Sequence, residues 1–194
     1  DMFIVFNAPA EFTVSGKTAL LPAGSMVPCI QGMSHGIYNN SDTTLEWMNL
    51  VTQTAKDDKI IVIDLGLDLR NQTIESPAPF LHAQFDRTLL RPVENVHQGK
   101  GTLLFRRVLD DRPFTTNVLF LDHLVLPPAT SIGYHRHDTM EEVYYLMDGE
   151  GRITINDYTW DVKAGDMIPV LCMIPMVCTI TRTATLNCLS GRYR

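Results

Sequence analysis

The chain has 194 residues, of which 45% are apolar, and a formal net charge of −6. That length and composition allow one sizeable domain, or a domain with a fragment of a second, around a real core. The acidic balance excludes the basic face that nucleic acid or an anionic membrane surface demands of a partner.

In chain order, short β-rich runs with period-two alternation dominate: FIVFNAPAEFTV at 3–14, KIIVIDLGL at 59–67, GTLLFRRVL at 101–109, NVLFLDHLVL at 117–126, EVYYLMD at 142–148 and RITINDYTWDV at 152–162. TLEWMNLVTQ at 44–53 is the nearest approach to a helical stripe, and its Thr and Val content fits a strand as well. An all-β chain is the expectation. Residues 66–92, with ESPAPF and RTLLRP, read as a connector, which places a boundary near 66 and gives segments 1–66 and 67–194. The longest apolar runs, IIVI and VLFL, are too short to cross a bilayer, and no basic-then-apolar leader opens the sequence, so a cytoplasmic protein is expected. Without a secretory context the N-x-S/T triplets at Asn39 and Asn71 are chance. Cys29, Cys172, Cys178 and Cys188 fit neither a zinc pattern nor a disulfide frame.

The chain also repeats itself. Sliding it so that Asp1 falls on Glu142 lays Thr13 on Thr154, Thr18 on Thr159, Ala23 on Ala164, Gly24 on Gly165, Met26 on Met167 and Pro28 on Pro169 without a gap. After Pro169 the match disappears.

The strongest chemical signal is GYHRHDTMEEVYYLMDGEG at 133–151. His135 and His137 are two apart, so on a strand both imidazoles leave one face, and Glu142 after a short turn can bring a carboxylate to the same point. Two imidazoles and a carboxylate with open positions suit a divalent metal such as Fe, Mn, Ni or Zn. An isolated HxH on a solvated strand face is the competing reading.

This stretch resembles the first motif of the cupin superfamily, G-x5-H-x-H-x3,4-E-x6-G. His135, His137, Glu142 and Gly149 fall on it, and Ala129 replaces the first glycine. The second motif, G-x5-P-x-G-x2-H-x3-N, is similar to Gly24, Gly32, His35 and Asn39 in the first copy, with Ile30 at the proline. The resemblance is to a two-domain cupin. It implies small jelly-roll barrels holding a metal on three His and one Glu. Here these would be His135, His137 and Glu142 with His35 as the remaining imidazole, docked within one chain or swapped between subunits. In the second copy the corresponding histidine position holds Met176, a poor ligand for the harder metals. The implied activity is that of an oxygenase, isomerase, decarboxylase or lyase on a small molecule, with a metal-free binding or structural barrel as the alternative. Tyr134, Tyr144, Tyr145, Arg106 and Arg107 are candidate pocket residues. Glu141 is expected on the outer face, and His82, His97 and His123 are expected to be structural.

A reading-frame slip accounts for the divergent tail. Taking the third base of each codon with the first two of the next, Pro175–Met176 permits His, Met176–Val177 forces Gly, Cys178–Thr179 permits Tyr, and Thr179–Ile180 and Ile180–Thr181 permit Asn. Thr181–Arg182 permits Ser, Arg182–Thr183 permits Asp and Leu186–Asn187 permits Glu. The shifted frame can therefore spell SHGVYNNTD where the repeat requires SHGIYNNSD. Residues 170–194 contain no Asp or Glu, as expected of a stretch not written for a protein surface. A genuinely diverged, metal-free second barrel is the alternative. Asp1 falls on the glutamate position of the first motif, so the first copy is expected to begin halfway through its barrel. The tail is expected to break the inward and outward alternation of the closing strands, leaving an edge that drives aggregation or a homodimer.

Overall fold

Strict alternation puts one row of each strand inward and one outward, and two such rows must meet to form a core. The computed structural model describes residues 1–53 and 59–179 and the backbone of 186–193. Ile180, Thr181, Arg182 and Thr183, and the side chains of Leu186, Asn187 and Cys188, on which parts of the tail reading rest, lie outside the described residues. The described residues are β-strands and turns with two short 3-10 turns, as the all-β expectation requires. They divide into two compact units, residues 1–86 with 113–117 and residues 87–112 with 118–194.

In the first unit, β1 (Met2–Val5), β4 (Ser25–Pro28), β6 (Trp47–Leu50) and β7 (Ala83–Gln84) form one sheet in the order β6-β1-β4-β7. β2 (Ala10–Val14), β3 (Lys17–Leu21) and β5 (His35–Tyr38) form a second sheet in the order β3-β2-β5. Phe3, Val5 and Val27 from one sheet meet Phe12, Val14 and Leu21 from the other in a single buried cluster. β7 comes from the stretch expected to be a plain connector. It pairs with β4 through Ser25↔Gln84 and Met26↔Ala83.

The second unit is built the same way. β8 (Arg91–Glu94), β9 (Thr102–Asp110), β10 (Val118–Leu126), β12 (Glu141–Asp148), β15 (Met167–Val170) and β17 (Leu186–Tyr193) form a sheet in the order β15-β12-β17-β10-β9-β8. β11 (Ser131–His135), β13 (Glu150–Ile155), β14 (Tyr158–Lys163) and β16 (Met176–Thr179) form the other, in the order β11-β16-β13-β14. Leu103, Leu124, Leu126, Tyr144 and Leu146 from the first sheet pack with Ile132, Ile153, Val162, Met176 and Cys178 from the second. Every pairing between strands is antiparallel, and neither sheet closes on itself into a barrel.

Strand registers follow the sequence repeat. Met2↔Pro28 corresponds to Val143↔Pro169, Ala10↔Leu21 to Gly151↔Val162, and Val14↔His35 to Ile155↔Met176. The hydroxyls of Thr13 and Thr18 lie 2.7 Å apart and those of Thr154 and Thr159 2.8 Å apart. The correspondence continues past Pro169, where side-chain identity is largely lost: Val5↔Trp47 matches Leu146↔Cys188 and Met2↔Leu50 matches Val143↔Gly191.

Two expectations differ from the structure. The alternation expected to fail in the tail persists through β16, where Met176 and Cys178 are buried and Val177 and Thr179 are half-buried. β16 lies between β11 and β13, and β17 between β10 and β12, so neither is an open edge. The physical reason is that backbone hydrogen bonds are indifferent to side-chain identity, and an apolar, β-branched sequence satisfies an inward row as readily as the one it replaces. Conversely, KIIVIDLGL forms no strand: Ile60 to Ile63 are 67–83% exposed. Strand propensity is realised only where a sheet edge accepts the segment, and none of the four sheets does so.

Turn positions also show where the sequence departs from the repeat. Gly32 takes φ 85°, and its counterpart Met173 takes φ 67°; Ala129, at the motif's first glycine position, takes φ 61°. A side chain in the left-handed region costs about 1 kcal/mol or more. Ala129→Gly and Met173→Gly are each expected to stabilise the chain by roughly 0.5–1 kcal/mol. Urea denaturation with an unchanged m value would check this; equal or lower midpoints for both variants would contradict the strain.

Candidate metal centre

The HxH segment leaves the end of β11, and burial alternates along β12 so that Glu142, Tyr144 and Leu146 face inward while Glu141 is exposed, as expected. The result is a cluster in which one donor atom each from His135, His137 and Glu142 lies within 4.8 Å of the others. Glu142 is 1% exposed. A carboxylate so desolvated requires cationic or hydrogen-bonding partners. His137 Nε2 lies 3.3 Å from Glu142 Oε2, and Tyr144 donates its hydroxyl to the same oxygen at 2.7 Å.

His135 is oriented by its own strand. Its Nδ1 lies 2.8 Å from the carbonyl oxygen of Gly133. A carbonyl only accepts, so in this contact Nδ1 carries the proton and Nε2 is the nitrogen that would take a metal. A backbone carbonyl on one ring nitrogen and a metal on the other is the arrangement seen behind metal-bound histidines. The donor set, two imidazoles and a carboxylate, fits a divalent transition metal.

Met176 sits where a fourth donor would stand. It is the cross-strand neighbour of His135 in the β11–β16 ladder, is fully buried, and its Sδ lies 3.9 Å from the Tyr144 hydroxyl. The same positions in the first unit hold Asp1, Phe3 and His35. There His35 Nε2 lies 3.3 Å from Asp1 Oδ2, and the Phe3 and His35 rings are 5.3 Å apart. His35 is therefore held in the first unit against a carboxylate, with its Nδ1 3.1 Å from the Met33 carbonyl.

The remaining candidates have other partners. Arg107 makes a two-point ion pair with buried Asp122, at 2.9 and 3.1 Å, and its guanidinium lies 3.7 Å from the centre of the Phe120 ring. Asp122 raises the Arg107 pKa above its ordinary value by accepting these bonds. Arg106 stands opposite buried His123 in the β9–β10 ladder. Tyr134 is exposed and donates to the Asn156 carbonyl at 3.1 Å, and Tyr145 is half-buried. Cys178 is buried beside Met176, and burial pushes its thiol up to about 12, so it packs as a small apolar residue. His97, read from sequence as structural, stacks on His135 with ring centroids 3.8 Å apart. The available signal was VHQGKG immediately before β9, whose glycines admit a close backbone approach.

Residues 122–170 match the family described as Cupin domain, and this span contains the whole His135, His137, Glu142 cluster. These comparisons support the cupin superfamily. Over 75 residues, 39% of this chain and 62% of the relative, the chain is 31% identical to an oxalate-binding protein of Thermotoga maritima. Over 48 residues, 25% of this chain and 38% of the relative, it is 35% identical to an uncharacterized protein of Methanocaldococcus jannaschii. The chain thus spans less than two thirds of either relative. Among solved structures, a predicted oxalate decarboxylase of Thermotoga maritima aligns with a TM-score of 0.53 and 24% identity, covering 56% of this chain and 96% of that one, which shows a shared cupin-like fold.

Removing the Tyr144 hydroxyl leaves a buried carboxylate short of a donor and free to turn. Tyr144→Phe is expected to weaken Mn(II) or Zn(II) binding by about ten-fold, and Glu142→Gln by more. Calorimetric titration of the purified chain would check this, and unchanged affinity in both variants would remove Glu142 from the ligand set.

Proposed function

We propose that the second unit is a metal-dependent cupin site that takes a small carboxylate molecule, and that this chain holds the metal weakly. The observation that carries this reading is the buried Glu142 carboxylate within 4.8 Å of the His135 and His137 donor atoms. A bound divalent metal would supply Lewis acidity to an oxygen of the substrate. Glu142, His135 and His137 would hold that metal, the Gly133 carbonyl would fix the His135 tautomer, and Tyr144 would fix the carboxylate. The names of the Thermotoga relatives support oxalate as the first ligand to test. A small dicarboxylate suits a metal with open positions because it can chelate through two oxygens.

Met176 favours binding without turnover over efficient catalysis. A thioether competes poorly for Mn, Fe, Ni or Zn, so the site would offer three good protein donors. Met176→His is expected to tighten Mn(II) binding by at least about ten-fold and to increase metal retention in the presence of oxalate. If neither the wild-type chain nor Met176→His binds Mn(II) or Zn(II), the reading becomes that of a metal-free binding or structural barrel.

We further propose that the chain derives from a two-domain cupin, an oxygenase, isomerase, decarboxylase or lyase, and that its residues 170–194 are out of frame. Sequencing the source DNA across the Pro169 codon tests this. A shifted frame reading S-H-G-x-Y-N-N restores the missing histidine at the Met176 position. Stop codons or unrelated residues in that frame would make Met176 genuine and the tail an evolved one.

A further inference from the structure

His97 lies in a 3-10 turn (Val96–Gln98) just before β9, and Asn95, His97 and Gln98 take left-handed backbone angles, φ 50°, 51° and 62°. Three such residues within four positions hold their conformation only where surrounding contacts enforce it. The enforcing contact is with β11. A Cβ on Gly133 would stand 1.9 Å from the His97 carbonyl oxygen, and one on Gly99 would stand 2.1 Å from the Ser131 carbonyl oxygen. The backbone nitrogen of Lys100 donates to the Ser131 hydroxyl at 2.9 Å, and that of Ser131 returns a bond to the Lys100 carbonyl at 2.9 Å. Glycine at both points lets the turn lie directly on the strand that carries His135.

The consequence is at the rings. His97 stacks on His135 with centroids 3.8 Å apart and planes 11° from parallel, whereas it meets His137 edge-on at 6.4 Å and 79°. An imidazole binds a metal in its own plane. Two parallel planes this far apart do not share a point, so His97 as seated is not a fourth ligand to an ion held by His135.

We propose that His97 is a positioning residue: it forms a flat wall that sets the plane of the His135 imidazole and so aims its Nε2 into the metal site. The proposal rests on the metal reading above for its function, but its geometry stands without a metal. The Gly133 carbonyl fixes which nitrogen carries the proton, and the His97 face blocks the ring from swinging. Together the two constraints leave one orientation.

The test uses the full chain with His97→Ala, His97→Gln and His97→Phe. Two readouts are taken: Mn(II) and Zn(II) affinity by calorimetry, and the ring nitrogen shifts of His135 by NMR without metal. His97→Ala and His97→Gln are expected to lose about ten-fold in metal affinity and to mix the His135 tautomers, while His97→Phe keeps a flat stacking face and restores both. If His97→Ala does not fold, the contrast between Gln and Phe decides. Unchanged affinity and an unmixed tautomer in His97→Gln would overturn the proposal. A His97→Phe variant as weak as His97→Gln would also overturn it, because the nitrogen and not the wall would then matter. If the wild-type chain binds neither metal yet the tautomer mixes in His97→Gln and not in His97→Phe, the positioning role holds and the metal reading fails.

Discussion

Glu142 is the constraint around which the second unit is arranged. A carboxylate with 1% of its surface in contact with solvent loses hydration that hydrogen bonds, a nearby cation or a proton must replace. Every neighbour of that side chain can be read as an answer to this cost. Tyr144, two residues along the same inward row, donates at 2.7 Å, and His137 approaches at 3.3 Å. A divalent cation would answer it more fully than a proton, because His135 and His137 offer donor atoms within 4.8 Å of the same carboxylate. The apolar row that continues from Glu142 and Tyr144 into Leu146 keeps water out and makes those contacts stronger.

The two copies show how far backbone and side chain can separate. The β17 register extends the repeat through Leu146↔Cys188 and Val143↔Gly191, although within β17 only Leu186 matches its counterpart, Leu45. Sheet hydrogen bonds require only a compatible alternation, and MVCT supplies one with Met176 and Cys178 inward. Chemistry requires identity. The position that holds an imidazole in the first unit, His35, holds a thioether in the second: His35 is exposed, against the Phe3 ring, whereas Met176 is fully buried beside Tyr144.

Legibility in the sequence followed the range of the interaction. The all-β class, the repeat, the His135, His137, Glu142 cluster and the outward placement of Glu141 were visible because each depends on spacing along one or two strands. The fate of KIIVIDLGL was not, because whether a β-prone run becomes a strand depends on an edge elsewhere in the chain. His97 was hidden for a related reason. Its contact with His135 is made by a turn that reaches the site through Gly99 and Gly133, far apart in sequence, and a lone histidine in VHQGKG carries no periodic signature.

What the site could hold and what it could do are set by different requirements. Two imidazoles and a carboxylate with Met176 beside them would leave a metal more open positions than three imidazoles and a carboxylate would, which would favour a chelating ligand. Turnover demands more, since a reaction is accelerated only by contacts that strengthen in the transition state, and these need donors held to within a fraction of an ångström. The wall formed by His97 and the tether from Tyr144 supply that rigidity to two of the three donors. Met176 is packed in the core with Tyr144, so the supports around His135 and Glu142 do not depend on a fourth donor, and the shape of the site and its affinity for a metal can vary independently.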